Sequence, residues 1–245
     1  MNKIALRPVQ QQTRIQCRLI RTIGIMETTF TLNIQNMRDD TERSIMQATK
    51  NLLRKDPKYI IKIFTQDGTK NDTILGRVKS NIIGTSFSIY EDDLQSGDVK
   101  DSEQVASVDY EPNLLGQRGP RKMSIIIPSM TNEGIRQEIQ SDWKHLSLSE
   151  RVQLGNELRQ NLVLCNKPPQ WNEETASFVL NFDGRVSMAS VKNFQIIHED
   201  DLDYIALQFG RVNDETFTVD IRYPFSLFQA FGIVLTSFDA KIACE

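Results

Sequence analysis

The last sixty or so residues constrain this chain most, because three polar-punctuated β patterns run into a long apolar segment. FVLNFDGRVSMASVKNFQII (Phe178 to Ile197), YIALQFGRV (Tyr204 to Val212) and TFTVDIRYP (Thr216 to Pro224) lead into FSLFQAFGIVLTSFDAKIACE. Between Pro224 and Phe238 no side chain is charged, and apolar residues fall on every face of a 3.6-residue period. A helix with that pattern must be enclosed. Its fifteen residues reach roughly 22 Å at about 1.5 Å per residue, short of the roughly 30 Å of a hydrocarbon core. Membrane spanning is therefore not expected. Phe225, Leu227, Phe228, Phe231, Ile233, Val234, Leu235 and Phe238 are instead of a size to fill the inside of a closed sheet.

Period-two alternation recurs along the chain and argues for β architecture throughout. TFTLNIQ (Thr29 to Gln35) sets Phe30, Leu32 and Ile34 on one face against Thr31 and Asn33 on the other. Phe217, Val219, Ile221 and Tyr223 alternate with Thr218, Asp220 and Arg222, and KMSIIIP (Lys122 to Pro128) reads as a mostly buried strand. Helices are the minority. SLSE at Ser147 to Glu150 is a capping-box pattern, followed by Val152, Leu154 and Leu158 on a weakly amphipathic stretch expected to pack outside the sheet. The 245 residues contain no Pro/Gly/Ser-rich linker, which favours one domain, and 39% hydrophobic residues are too many for a disordered chain.

Several motifs carry a family resemblance. GRVSMASVKNFQI, then FGRV, then QAFGIVLTSFDAKIACE, closely resembles the carboxy-terminal signature of the tubby family. YEPNLLGQRGPRKMSIIIP (Tyr110 to Pro128), ILGRVKSNIIGTSFSIYED (Ile74 to Asp92) and PPQWNEETASFVLNF extend the likeness over nearly the whole chain. The resemblance implies a mainly β (α+β) fold, a closed twelve-stranded antiparallel barrel threaded by the hydrophobic C-terminal helix. It implies a short extension over residues 1–13 and a tubby-like domain over 14–245. ERSIMQATKNLLRK is rich in helix formers, whereas the resemblance makes SIMQATK a strand leading into a basic loop; the strand is expected.

The resemblance also places a site. Arg77 and Lys79 in GRVKSN stand two apart on a strand, so both leave the same face. In tubby-like proteins the matching Lys-x-Arg pair grips the 4- and 5-phosphates of phosphatidylinositol 4,5-bisphosphate; here the order is reversed, with a planar fork at Arg77 and a flexible point charge at Lys79. Lys58 stands where members usually carry an asparagine that bonds the headgroup, and it can donate but not accept. The third basic contact of the family falls on Ser102 when counted back from Tyr110, with Lys100 two residues away as the alternative. A formal charge of −3 excludes a globally basic binder of membrane or nucleic acid, so attraction must come from a patch. From Lys50 to Lys79, eight basic residues (Lys50, Arg54, Lys55, Lys58, Lys62, Lys70, Arg77, Lys79) face three aspartates. From Glu91 to Glu111 eight carboxylates stand with one lysine, a run that would weaken docking if it bordered the site.

Other chemistries have little support. His145 and His198 lie far apart with no nucleophile motif, no P-loop or dinucleotide fingerprint occurs, and no cofactor or enzymatic activity is expected. His198, Glu199, Asp200, Asp201 and Asp203 contain metal-ligand types but read as an acidic turn. Cys17, Cys165 and Cys244 lack metal or redox spacing and fit reduced thiols. MNKIALRPVQQQ lacks the apolar core of a signal peptide, and a cytoplasmic protein, peripheral at the plasma or ciliary membrane, is expected. What the resemblance implies is a phosphoinositide-reading adaptor for the trafficking of membrane receptors or ciliary proteins, with trafficking or ciliary transport proteins as partners and no nucleic acid. The alternatives are a protein-interaction scaffold that has lost lipid binding and a barrel related to phospholipid scramblases.

Overall fold

The structure is a computed structural model that describes residues 5–51, 58–65, 70–92, 102–111, 122–131, 133–137, 147–153, 161–174 and 177–239. Its first half is a run of neighbouring strands: β1 (Arg14–Ile23), β2 (Glu27–Gln35), β3 (Glu42–Asn51), β4 (Tyr59–Phe64), β5 (Lys70–Ser80), β6 (Ser86–Glu91), β7 (Glu103–Tyr110) and β8 (Met123–Pro128). A short helix, α1 (Leu148–Gln153), precedes β9 (Asn161–Asn166) and the small hairpin β10 (Gln170–Asn172) and β11 (Ser177–Val179). Then come β12 (Phe194–Ile197), β13 (Leu207–Arg211), β14 (Thr216–Arg222) and α2 (Leu227–Thr236). All strands but β10 and β11 close into one twelve-stranded barrel, and every neighbour pairs antiparallel. Closure leaves no strand edge open in the ring.

The uncharged C-terminal segment fills this ring. Every residue of α2 is buried. Ser226 starts the helix with a reciprocal capping box: its hydroxyl accepts from the Gln229 N–H at 3.1 Å, and the Gln229 carboxamide oxygen accepts from the Ser226 N–H at 3.0 Å. The other end of the Gln229 carboxamide donates to the Val105 carbonyl of β7 at 2.8 Å, tying the enclosed helix to the wall. Inward residues of the strands (Leu19, Leu32, Ile61, Val78, Ile89, Ile125, Phe209 and Val219 among them) form one core with the helix. Phe238 is only partly buried: it sits at the mouth of the barrel against Phe30 and Phe217, with ring centroids 4.7 and 5.1 Å away. No helix among the described residues is long and apolar enough to cross a membrane.

The strand expected over SIMQATK is present as β3. Pairing on both sides, to β2 and β4, overrides the helical propensity of its residues. The capping box at Ser147 also forms, with the Ser147 N–H and hydroxyl donating to the Glu150 carboxylate at 2.7 Å and the Glu150 N–H returning to Ser147 Oγ at 3.3 Å. Leu154 and Leu158 lie outside the described residues.

The β reading of Phe178 to Ile197 holds only at its ends. Positive φ at Asp183 and Gly184 turns the chain, and the segment from 180 to 193 lies over the outer side of β13 and β14. Arg185 clamps Asp220 at 2.8 Å, Gln208 donates to the same carboxylate at 3.1 Å, and Arg14 joins it from β1. Val186 packs so tightly over Gly210 that an added Cβ there would come within 2.0 Å of its Cγ2. The polar face of β14 is therefore buried under a hydrogen-bonded strap, with Thr218 and Asp220 inside it.

Candidate functional site

The site begins with a turn. In SNIIGT the Asn81 carboxamide oxygen accepts from the N–H groups of Gly84 (2.8 Å), Thr85 (2.9 Å) and Ser86 (3.2 Å), and its amide donates to Thr85 Oγ1 at 2.9 Å. Gly84 takes φ +75°, a conformation that glycine adopts without steric cost. One side chain thus fixes the β5–β6 hairpin, and with it the register of Arg77 opposite Tyr90 and Lys79 opposite Ser88. A second constraint lies at Gly76, where an added Cβ would meet the Tyr90 carbonyl oxygen at 2.0 Å and the Phe228 ring at 2.6 Å. Glycine there lets β5 press against both β6 and the enclosed helix.

Val78 and Tyr59, paired across β5 and β4, are fully buried. By alternation their neighbours Arg77, Lys79 and Lys58 leave on the outer side. The Lys58 N–H donates to the Val78 carbonyl at 2.8 Å, continuing the β4–β5 pairing by one residue and setting Lys58 beside Lys79. Three of the four expected phosphate-binding residues therefore share one outer face. Lys79 is exposed, and its ammonium stands 5.5 Å from the centroid of the Tyr90 ring. Lys100, the fourth, lies outside the described residues. Ser102 immediately precedes β7, one step beyond the Glu91–Glu103 pair, which brings it beside Asp92 in register.

Arg77 is held rather than loose. Its Nη2 donates to Asp92 Oδ2 at 2.6 Å, with the two side chains only 16% and 13% exposed. The neighbouring carboxylate, Glu91, is paired with Arg136 at 2.9 Å, and Arg136 also donates to the Leu6 carbonyl. The head of the acidic run thus does border the basic face, at Asp92. Sequence reasoning missed this specific partner, because the diagonal between Arg77 and Asp92 exists only once the β5–β6 register is known. The signal available was the acidic pair immediately after SIY.

The basic run from Lys50 to Lys79 does not act as one patch. Lys50 turns into the mouth of the barrel, where it pairs with the buried Asp239 just beyond α2 and lies 5.9 Å from the Tyr59 ring centroid. Burial, with Asp239 nearby, pushes the Tyr59 phenol well above its ordinary range. Arg54 and Lys55 lie outside the described residues. Among the described residues, the outer face of β4 and β5 carries Lys58, Lys62, Arg77 and Lys79, with Asp92 against Arg77. Among the described residues no group of three or more potential ligands could hold a metal ion. His198 and Asp201 instead close a turn, with Asp201 Oδ1 accepting from the N–H groups of Asp203 and Tyr204.

Comparison with known proteins bears out the family resemblance carried by the motifs. The model of the Tub family matches residues 5–240. The human Tubby-related protein 3 is 41% identical over 251 residues, which cover 97% of this chain and 56% of that protein. Human Tubby-related protein 1 is 39% identical, covering 99% of this chain and 46% of its own length, and Protein king tubby of Drosophila sechellia is 38% identical, covering 100% and 56%. The chain spans about half the length of the curated relatives it matches. With a barrel closed around its C-terminal helix, a match of the family model over nearly every residue and relatives near 40% identity, the chain belongs to the tubby family.

Proposed function

We propose that this protein docks reversibly on the cytoplasmic leaflet by binding phosphatidylinositol 4,5-bisphosphate on the outer face of β4 and β5, and acts there as an adaptor in membrane-receptor or ciliary protein trafficking. The observation that carries the reading is the convergence of Lys58, Arg77 and Lys79 on one outer face, with the Tyr90 ring beneath the Lys79 ammonium. A guanidinium offers a planar fork to one phosphate and two ammonium groups supply point charges to its neighbours. Basic residues near an anionic surface contribute about 1 kcal/mol each, enough for reversible attachment and not for permanent anchoring.

Co-sedimentation with vesicles containing or lacking phosphatidylinositol 4,5-bisphosphate tests this reading, with Arg77→Ala/Lys79→Ala as the paired variant. Pelleting that depends on the lipid and disappears in the double variant is expected. A second reading draws on the Arg77–Asp92 pair: a barrel whose arginine is permanently occupied would serve as a protein-interaction scaffold. In that case the wild-type chain would pellet no more with the lipid than without it.

A further inference from the structure

The rim next to the basic face carries apolar side chains that the barrel does not use. Asn81 and Gly84 are held as described, and the two residues between them are pushed outward: Ile82 is fully exposed and Ile83 is 61% exposed. Gly84 lies against the far end of the enclosed helix, since a Cβ there would be 3.3 Å from the Asp239 carbonyl oxygen. The β1–β2 turn occupies the same end of the barrel. Lys50, paired with Asp239, is in register with Thr28 at the start of β2, and the Arg21 guanidinium stands 5.8 Å from the Phe238 ring. That turn presents Ile25 at 98% exposure and Met26 at 63%.

The two tips are separated by four strand spacings, about 19 Å along the wall at roughly 4.8 Å each. Lys58 and Lys79 lie between them and beside the second tip, near the same rim. Paired apolar tips with cations next to them match a bilayer interface, which offers acyl chains just below a layer of phosphate.

Resting on the lipid-docking reading above, we propose that this end of the barrel enters the membrane interface, with Ile82 and Ile83 at one tip and Ile25 and Met26 at the other buried at the boundary of headgroups and acyl chains while Lys58 and Lys79 hold phosphate above them. Removing apolar tips that are buried only on the vesicle should weaken vesicle affinity by about tenfold to a hundredfold. The contact with a water-soluble headgroup should not change, because the tips do not touch it.

The experiment compares wild type, Ile82→Ser/Ile83→Ser and Ile25→Ser/Met26→Ser in two assays. One is binding to phosphatidylcholine vesicles containing phosphatidylserine and phosphatidylinositol 4,5-bisphosphate; the other is calorimetric binding of soluble inositol 1,4,5-trisphosphate. Both positions are exposed, so folding should be retained, and circular dichroism with a thermal melt checks it. The expected result is weaker vesicle binding by both variants with unchanged affinity for the soluble headgroup, and an emission blue shift of an Ile82→Trp variant on vesicle addition. Equal vesicle affinity in all three proteins overturns insertion and leaves headgroup recognition standing. A wild type that binds the soluble headgroup but no vesicles overturns insertion and membrane docking together and leaves only headgroup recognition, whereas one that binds neither overturns headgroup recognition as well.

Discussion

Replacing Asp92 with asparagine keeps an acceptor of the same size for Arg77 while removing the charge that holds it. The nitrogen and oxygen are 2.6 Å apart. Unit charges whose centres are about 4 Å apart interact by about 4 kcal/mol at an effective dielectric near 20. Desolvation of both groups offsets much of that. At 16% and 13% exposure the pair falls between exposed ion pairs worth about 0–1 kcal/mol and buried ones whose disruption costs about 3–5 kcal/mol. An incoming polyphosphate must draw Arg77 away from this carboxylate and then sit close to it. Removing the charge should therefore favour docking by about 1–2 kcal/mol, a factor of about 5–30. Vesicle titrations of wild type and Asp92→Asn at two ionic strengths measure the effect, and the gain should be larger at the lower one, where screening is weaker. Equal or weaker binding by Asp92→Asn would refute the reasoning, since Asp92 would then be orienting Arg77 for its ligand rather than competing with it.

Gly76→Ala should lower stability by about 1–3 kcal/mol or more, the usual cost of overpacking, because its Cβ would meet backbone at 2.0 Å; an unchanged denaturation midpoint would show that β5 and β6 are not pressed together there. Cys17 is fully buried, and burial, reinforced by Asp220, pushes its thiol far above the ordinary range. Because the thiolate is the reactive form, Cys17 should resist alkylation at pH 8 in the folded protein and react once unfolded, as read by peptide mapping; rapid labelling of the native chain would contradict its placement.

How much of this was legible in the sequence varied with the physics involved. The enclosed helix was legible, because fifteen uncharged residues with apolar side chains on every face leave few other fates, and its residues from Phe225 to Leu235 are buried as expected. That Arg77 and Lys79 leave one common face followed from period two alone; that it is the outer face follows from the burial of Val78 between them. The strap over β13 and β14 did not, since Asp220 reads as a solvated residue until Gln208 opposite it on β13 and Arg185 from the strap are seen to satisfy it. Nor did the partner of Lys50: alternation with Met46 and Ala48 sets it on the inner side of β3, but Asp239, almost two hundred residues later, meets it only once the barrel closes. Ile82 and Ile83 were equally hidden, because apolar residues in a turn can point in or out, and only the Asn81 and Gly84 geometry sends them out. Local pattern fixes which side of a strand a residue leaves; the partner it finds there depends on register and closure.

The central claim is that the outer face of β4 and β5 binds polyphosphate, and a heteronuclear NMR titration of the labelled chain with soluble inositol 1,4,5-trisphosphate tests it most directly. Shift changes centred on Lys58 to Ile60, Gly76 to Ser80 and Ser86 to Asp92, abolished by Arg77→Ala/Lys79→Ala, are expected. Saturable changes centred on any other face of the barrel, or none at millimolar ligand, would contradict it.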